Sequence, residues 1–236
     1  MPSAAQPRNV RRLSPATRAP LGTAGPAIKD AERTRAQILE AAAREFAAAG
    51  LGGARVGRIA AQAGVNVRML YYYFRSKDAL FLAVLERTYA RVREAEKRLE
   101  LDQGPPEDAL RRLVRFTWEY QIAHPEFITL VNSENLHQGR HLKRSSLIQR
   151  LHAPLLETIG RLLERGVREG VFRRGVDPMQ LYITIASLGY FYLSNRHTLS
   201  AIFGRDLIAP RQRAARLAHM MEVVFKYVAS EKGIAP

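Results

Sequence analysis

The sequence predicts an all-α fold, and three observations carry that expectation. Apolar residues recur at three- and four-residue spacings through most of the chain. No stretch alternates apolar and polar residues in the way a half-buried strand requires, and there is no internal repeat. Helix-breaking residues fall between the periodic segments, at Gly50, "DQGPP", His124-Pro125, Gly139, Gly170, Asp177-Pro178 and Pro210.

Each element follows in order. Residues 1–28 hold five of the 12 prolines together with Arg8, Arg11 and Arg12, show no apolar period, and read as a disordered basic arm. From Asp30 the pattern changes: Ile38, Ala42 and Phe46 recur every four residues with Leu39 and Ala43 beside them. That is an amphipathic helix, stopped by Gly50 where a left-handed cap is wanted. "LGGARV" is a loop, Val56 to Ala63 a short second helix closed by Gly64, and Val67 to Phe74 a third. A long helix then runs to about Glu100, its start capped by the Ser76 hydroxyl. Further helices are expected near 106–123, 125–137, 142–169, 178–202 and 210–231. The chain thus divides into the arm, a three-helix unit over 29–77 and a larger helical unit over 78–236.

Composition narrows the partners. The 236 residues are 47% hydrophobic, enough for a sizeable core, yet no run of about 18 apolar residues occurs and no membrane span is expected. The N-terminal arginines lack an apolar stretch behind them, so no secretory signal is expected. With no cysteine there is neither a disulfide framework nor thiolate chemistry, which fits a reducing cytoplasm. A net charge of +15 favours a polyanionic partner, although basic solvated faces alone produce the same excess.

Residues 56–74 carry the chemistry. A helix, the tight turn "AGVN" and a second short helix make a helix-turn-helix, with Gly64 supplying the unusual backbone angles and Val65 plugging the space between helices. Leu70 and Phe74 are four apart and pack inward, with Tyr73 beside that face. Arg68, Tyr71 and Tyr72 share the opposite side, next to Arg75 and Lys77. A tyrosine ring there lies against sugar and thymine methyl while its hydroxyl bonds a phosphate, so the expected partner is double-stranded DNA. The Arg68 guanidinium either forks onto guanine N7 and O6 or holds a phosphate. Lys77, at a helix start, suits a phosphate. The DNA-contacting set is Arg55, Arg58, Val67, Arg68, Met69, Tyr71, Tyr72, Tyr73 and Lys77.

These residues resemble the tetracycline-repressor (TetR) family of transcription regulators. The family pattern is met by Ile59-Ala60, Ala63-Gly64-Val65, Leu70-Tyr71-Tyr72-Tyr73-Phe74 and Ser76-Lys77, over about residues 33 to 85. The resemblance implies an N-terminal DNA-binding domain, a helical domain for dimerisation and effector binding, and control of transcription by ligand release. It implies repression at a palindromic operator and no cofactor. Two positions depart from the pattern. Ala54 and Arg55 stand where relatives usually carry a capping Thr or Ser, and Arg68 where they often carry a small residue.

The C-terminal unit yields further expectations. The helix over 106–123 is apolar on opposing sides, with Leu110, Leu113, Val114 and Trp118 on one and Phe116 and Tyr120 offset from it, so it is expected to wall a ligand cavity. Trp118, Tyr120, Phe127, Asn132, Asn135 and Tyr182 are the candidate effector contacts. "MQLYITIASLGYFYLSN" is apolar nearly all round, and the last helix has a broad apolar stripe. Together they are expected to form a helix-pair homodimer through Ala186, Gly189, Leu217, Met221 and Phe225. Glu134, His137 and His141 share the spacing of a metal site, but Gly139 interrupts it and a hydrogen-bonded polar cluster is the stronger reading. No nucleophilic triad or phosphate-cradling loop appears, so the alternative function, an all-α metal or ligand enzyme, lacks a motif of its own.

Overall fold

The computed structural model describes residues 26–230, so nearly all of the expected arm lies outside the described residues. Ten α-helices follow one another: α1 (Pro26–Gly53), α2 (Val56–Gln62), α3 (Val67–Phe74), α4 (Lys77–Lys97), α5 (Pro106–Ala123), α6 (Pro125–Leu136), α7 (Ser146–Arg168), α8 (Pro178–Ser194), α9 (Arg196–Phe203) and α10 (Pro210–Val228). Among the described residues there is no strand, only an isolated antiparallel bridge between Phe172 and Ala229. No described helix is long and apolar enough to cross a membrane.

Two cores organise the helices. In the N-terminal head, Ile38, Ala42 and Phe46 of α1 meet Ile59, Leu70, Phe74 and the first turns of α4 at Leu80, Phe81, Val84 and Leu85. Phe46 stacks edge-on against Phe81 with ring centroids 5.1 Å apart. The body core joins α5, α7, α8 and α10 through Leu110, Leu113, Val114, Trp118, Ile159, Leu181, Ile185, Met220 and Val224. Helices α4 and α6 belong to both regions. The N-terminal half of α4 is in the head, and Leu130 of α6 lies in the head core. Gly50 has φ 64° and ψ 177°, a backbone region open essentially to glycine, and so breaks α1 where the sequence places its stop. The turn it makes lets Leu51 N donate to Ser133 Oγ of α6 at 3.2 Å.

Three helices differ from expectation. Helix α1 starts at Pro26, inside the expected arm, and resumes after the break at Gly50 to run to Gly53, so of the expected "LGGARV" loop only Ala54 and Arg55 are non-helical. The one expected over 142–169 opens as a 3₁₀ turn, Leu142–Arg144, and becomes α7 only after Ser145, whose Oγ accepts from Ile148 N at 3.3 Å. The one expected over 178–202 divides at Asn195, whose side-chain amide donates to the Phe191 carbonyl at 2.9 Å and competes for the helix-terminal acceptor.

Candidate DNA-binding surface and effector cavity

The recognition helix is held by caps at both junctions. Asn66 Oδ1 accepts from Met69 N at 2.8 Å and starts α3. Ser76 Oγ accepts from Ala79 N at 3.0 Å and starts α4, as the sequence indicates. Between them Arg75 has φ 60°, and Ser76 N donates to the Phe74 carbonyl at 2.6 Å, a tight reversal that sets α3 against α4. Leu70 and Phe74 are buried, so the 3.6-residue period turns Val67, Arg68, Met69, Tyr71 and Tyr72 to solvent. Tyr72 is 82% exposed, an unusual place for a large ring without an external partner. Tyr73 is half-buried, packs on the head core and stacks edge-on with Tyr72 at 5.4 Å.

Arg55 makes no side-chain cap for α2. Instead Glu45, buried on α1, accepts from Arg55 N at 3.0 Å and lies 3.5 Å from Arg58 Nε. This fixes α2 and leaves both arginine side chains largely exposed. Lys77 Nζ is 3.4 Å from the Gly52 carbonyl, joining the start of α4 to the last turn of α1. Sequence reasoning passed over Glu45 and Asn66; the latter is a favoured cap residue one position before an amphipathic run.

A cavity of about 320 Å³ lies in the body between α4, α5, α6, α7 and α8. Tyr89, Phe116, Tyr120, Phe127, Tyr182 and Tyr190 give it aromatic walls, and Arg93, Glu96, Gln121, Asn135 and His152 contribute polar groups. Tyr89 packs edge-on against Phe127 at 5.6 Å, and burial pushes its hydroxyl up to about 12. Arg93 and Glu96 form a buried pair at 2.9 Å, and Arg93 Nη2 also donates to Tyr182 Oη at 2.9 Å. Burial lifts the Glu96 carboxyl to about 7 against the pull of Arg93. His152 is held below the usual imidazole range by burial, with Nδ1 2.7 Å from the Ile148 carbonyl.

Of the effector contacts expected from sequence, Tyr120, Phe127, Asn135 and Tyr182 line this cavity. Trp118 and Asn132 do not, and these two expectations are corrected. Trp118 faces the body core and stacks edge-on with Tyr192 at 5.7 Å, because the lining of α5 comes from Phe116, Thr117, Tyr120 and Gln121. Asn132 sits behind the wall, hydrogen-bonded to Tyr190 and Ser194.

Two dimerisation residues are likewise relocated. Ala186 lines the cavity and accepts from Gln121 Nε2 at 3.3 Å. Gly189 is buried against its own α5, where a Cβ would lie 2.2 Å from Gln121 Oε1 and 3.5 Å from Trp118. Its small size serves packing within the chain. Leu217, Met221 and Phe225 are half-buried on α10, with Arg111 over the Phe225 ring at 4.8 Å. The outward face of α8 presents Met179, Ile183 and Phe191, with Ile183 also bordering the cavity.

Glu134 and His141 form a hydrogen-bonded cluster. Glu134 Oε2 is 2.6 Å from His141 Nδ1, and Oε1 accepts from His141 N at 2.8 Å and Leu142 N at 3.0 Å. His137 turns away to the Ser133 carbonyl at 2.7 Å. Among the described residues no three His, Cys, Asp or Glu are grouped to hold a metal.

Comparison with known proteins agrees with this geometry. Residues 38–84 match the model for bacterial regulatory proteins of the tetR family, and residues 106–224 match a tetracyclin repressor-like C-terminal domain. The chain is 42% identical over 202 residues to the HTH-type transcriptional repressor NicS of Pseudomonas putida, covering 86% of this chain and 95% of that protein. It is 28% identical over 191 residues to the HTH-type transcriptional regulator RutR of Escherichia coli, covering 81% and 88%. The fatty acid degradation regulator FadR of Bacillus halodurans shares the fold, with a TM-score of 0.63 at 18% identity over 86% of this chain and 97% of that one. The all-α enzyme alternative falls on these matches, and the chain belongs to the TetR family of DNA-binding transcriptional regulators.

Proposed function

We propose that the protein is a homodimeric repressor that holds a palindromic operator with two α3 helices and is released by a small molecule bound in the body cavity. The observation that carries this reading is that α4 and α6 each serve both regions. Helix α4 buries Leu80 and Phe81 in the head and lines the cavity with Tyr89, Arg93 and Glu96. Helix α6 puts Leu130 into the head core and Phe127, Val131 and Asn135 into the cavity wall. A ligand that favours one placement of these helices therefore favours one separation of the two heads.

The DNA-facing set is that of the sequence without Tyr73, which is half-buried on the head core: Arg68 reads a base, and Arg55, Arg58, Tyr71, Tyr72 and Lys77 hold phosphates, beside Val67 and Met69. The partner packs against α8 and α10, where Met179, Ile183 and Phe191 are exposed and Leu217, Met221 and Phe225 are half-exposed. Two-fold symmetry then demands a palindrome with half-site centres one helical turn, or a multiple, apart.

Fluorescence anisotropy with the chain's own upstream DNA tests the reading. Contact with six to ten phosphates makes affinity fall by about 10³ to 10⁵ between 50 and 200 mM salt. Met221→Glu with Phe225→Glu yields monomers that lose the operator. Monomers of full operator affinity would overturn the arrangement.

A further inference from the structure

Every buried side-chain polar atom that lacks a hydrogen-bond partner among the described residues belongs to a residue of the body cavity's wall, Arg93 and Glu96 also bordering a second cavity between α4 and α7. The atoms are Arg93 Nε and Nη1, Glu96 Oε2 and Gln121 Oε1. Buried polar groups are nearly always paired, and an orphan costs its full desolvation penalty. Four on three residues at one place leave a site that a partner outside the chain completes once these side chains turn towards it.

The sign of that partner follows from the pair. Arg93 is 5% exposed and engages Glu96 and Tyr182 through Nη2 alone, leaving Nε and Nη1 unpaired. Glu96 uses one oxygen on Arg93. Burial lifts the Glu96 carboxyl to about 7, so it gives up its charge near neutral pH and leaves the guanidinium as the uncompensated ion. A second carboxylate can take Arg93 over from a protonated Glu96, whereas a cation would meet an existing guanidinium. The unpaired atoms are covered by their neighbours, so engagement draws the Arg93 side chain round towards the cavity. The remaining walls fix the rest of the ligand. Phe116, Tyr120, Phe127 and Tyr182 offer faces and edges for a flat ring, and about 320 Å³ suits one or two fused rings.

We infer that the effector is a small aromatic carboxylate whose carboxylate binds Arg93 and whose ring lies among Phe116, Tyr120, Phe127 and Tyr182. A ring hydroxyl adds to this by accepting from the protonated Glu96 carboxyl, whose Oε2 is otherwise unpaired. The inference rests on the reading of this cavity as the effector site.

Calorimetric titration of the full-length protein with three probes of one shape tests it: 4-hydroxybenzoate, 4-hydroxybenzyl alcohol and 4-hydroxybenzylamine. The acid is expected to bind at least about tenfold tighter than the alcohol, with the amine weakest. Removing both charges together in Arg93→Gln/Glu96→Gln avoids a lone buried ion, and is expected to equalise acid and alcohol while the helical circular-dichroism signal persists. Ala186→Trp, which fills the cavity, is expected to abolish binding of all three. Alcohol or amine binding in wild-type protein as tightly as the acid, lost in Ala186→Trp, overturns the carboxylate inference and leaves the cavity reading standing. If no probe binds, or acid binding survives Ala186→Trp, the cavity reading falls and the inference with it. The wild-type comparison needs no variant to fold.

Discussion

Glu134 and His141 lie where α6 meets the head, and Arg93 and Glu96 lie on α4 in the cavity wall. Both pairs are buried, and both join a carboxyl to a basic side chain. They differ in what surrounds them. Glu134 spends both oxygens on three donors, and the His141 ring stacks edge-on against Phe81 at 5.1 Å. Arg93, Glu96 and their neighbour Gln121 leave four polar atoms unpaired. A satisfied buried network rigidifies its surroundings, while a half-satisfied one is costly unless something else completes it. The head and its junction with α6 are thus a solid, satisfied region, and the cavity wall keeps polar atoms that the chain itself leaves unpaired.

The largest way to break this contrast is to damage the solid region. Phe46→Ala removes a fully buried ring stacked on Phe81 and is expected to cost about 3–5 kcal/mol of stability by urea unfolding, with loss of operator binding. The same substitution at exposed Phe191 should cost little.

Next comes the pH dependence of the unsatisfied region. The Glu96 pKa is raised from 4.5 to about 7 in the folded chain. The native state therefore holds a proton that the unfolded state has released, and stability falls as pH rises from 4.5 to 7. Measured as the difference between wild type and Glu96→Gln, the loss should approach about 3 kcal/mol and level off above pH 7. Buried His152 acts with the opposite sign near its own range, and subtracting the variant removes it. A difference that stays flat across this window would place Glu96 in an ordinary ionised pair.

Arg68→Ala should cost about 1–3 kcal/mol on matched DNA and relax preference at one base per half-site, whereas Tyr72→Ala should weaken all sequences alike. Equal weakening on matched and scrambled DNA by Arg68→Ala would reassign it to a phosphate. The smallest effect is at the cap: Asn66→Ala frees Met69 N and should cost about 1 kcal/mol.

How far the sequence reached depended on whether a residue's neighbours were local. Gly50, Ser76, Asp177-Pro178 and Pro210 mark helix ends by their own backbone or side-chain capping chemistry, so those boundaries were legible. The inward Leu70 and Phe74 and the outward Tyr71 and Tyr72 follow from one helical period. Arg93 and Glu96 sit in "RVREAEK", which reads as a solvated face because Arg91, Glu94 and Lys97 share the same charges and are exposed. Helices distant in sequence separate them, α7 beside both residues and α8 through Tyr182, which accepts from Arg93. Trp118 and Gly189 illustrate the same limit. An apolar helix face and a small residue look identical whether they meet a ligand, a partner or their own chain, and here each meets the other through α5 and α8.

Urea unfolding of two charge-removing double variants tests the contrast most directly. Replacing the cavity pair in Arg93→Met/Glu96→Met should leave stability unchanged or raise it by about 1–4 kcal/mol, since an unsatisfied buried ion pair is a net cost. Replacing the α6 pair in Glu134→Met/His141→Leu strands the backbone N–H groups of His141 and Leu142 and should lower stability by about 1–3 kcal/mol for each donor left unpaired. A cavity variant that loses as much stability as the Glu134/His141 variant would contradict the account, because Arg93 and Glu96 would then be holding the fold together.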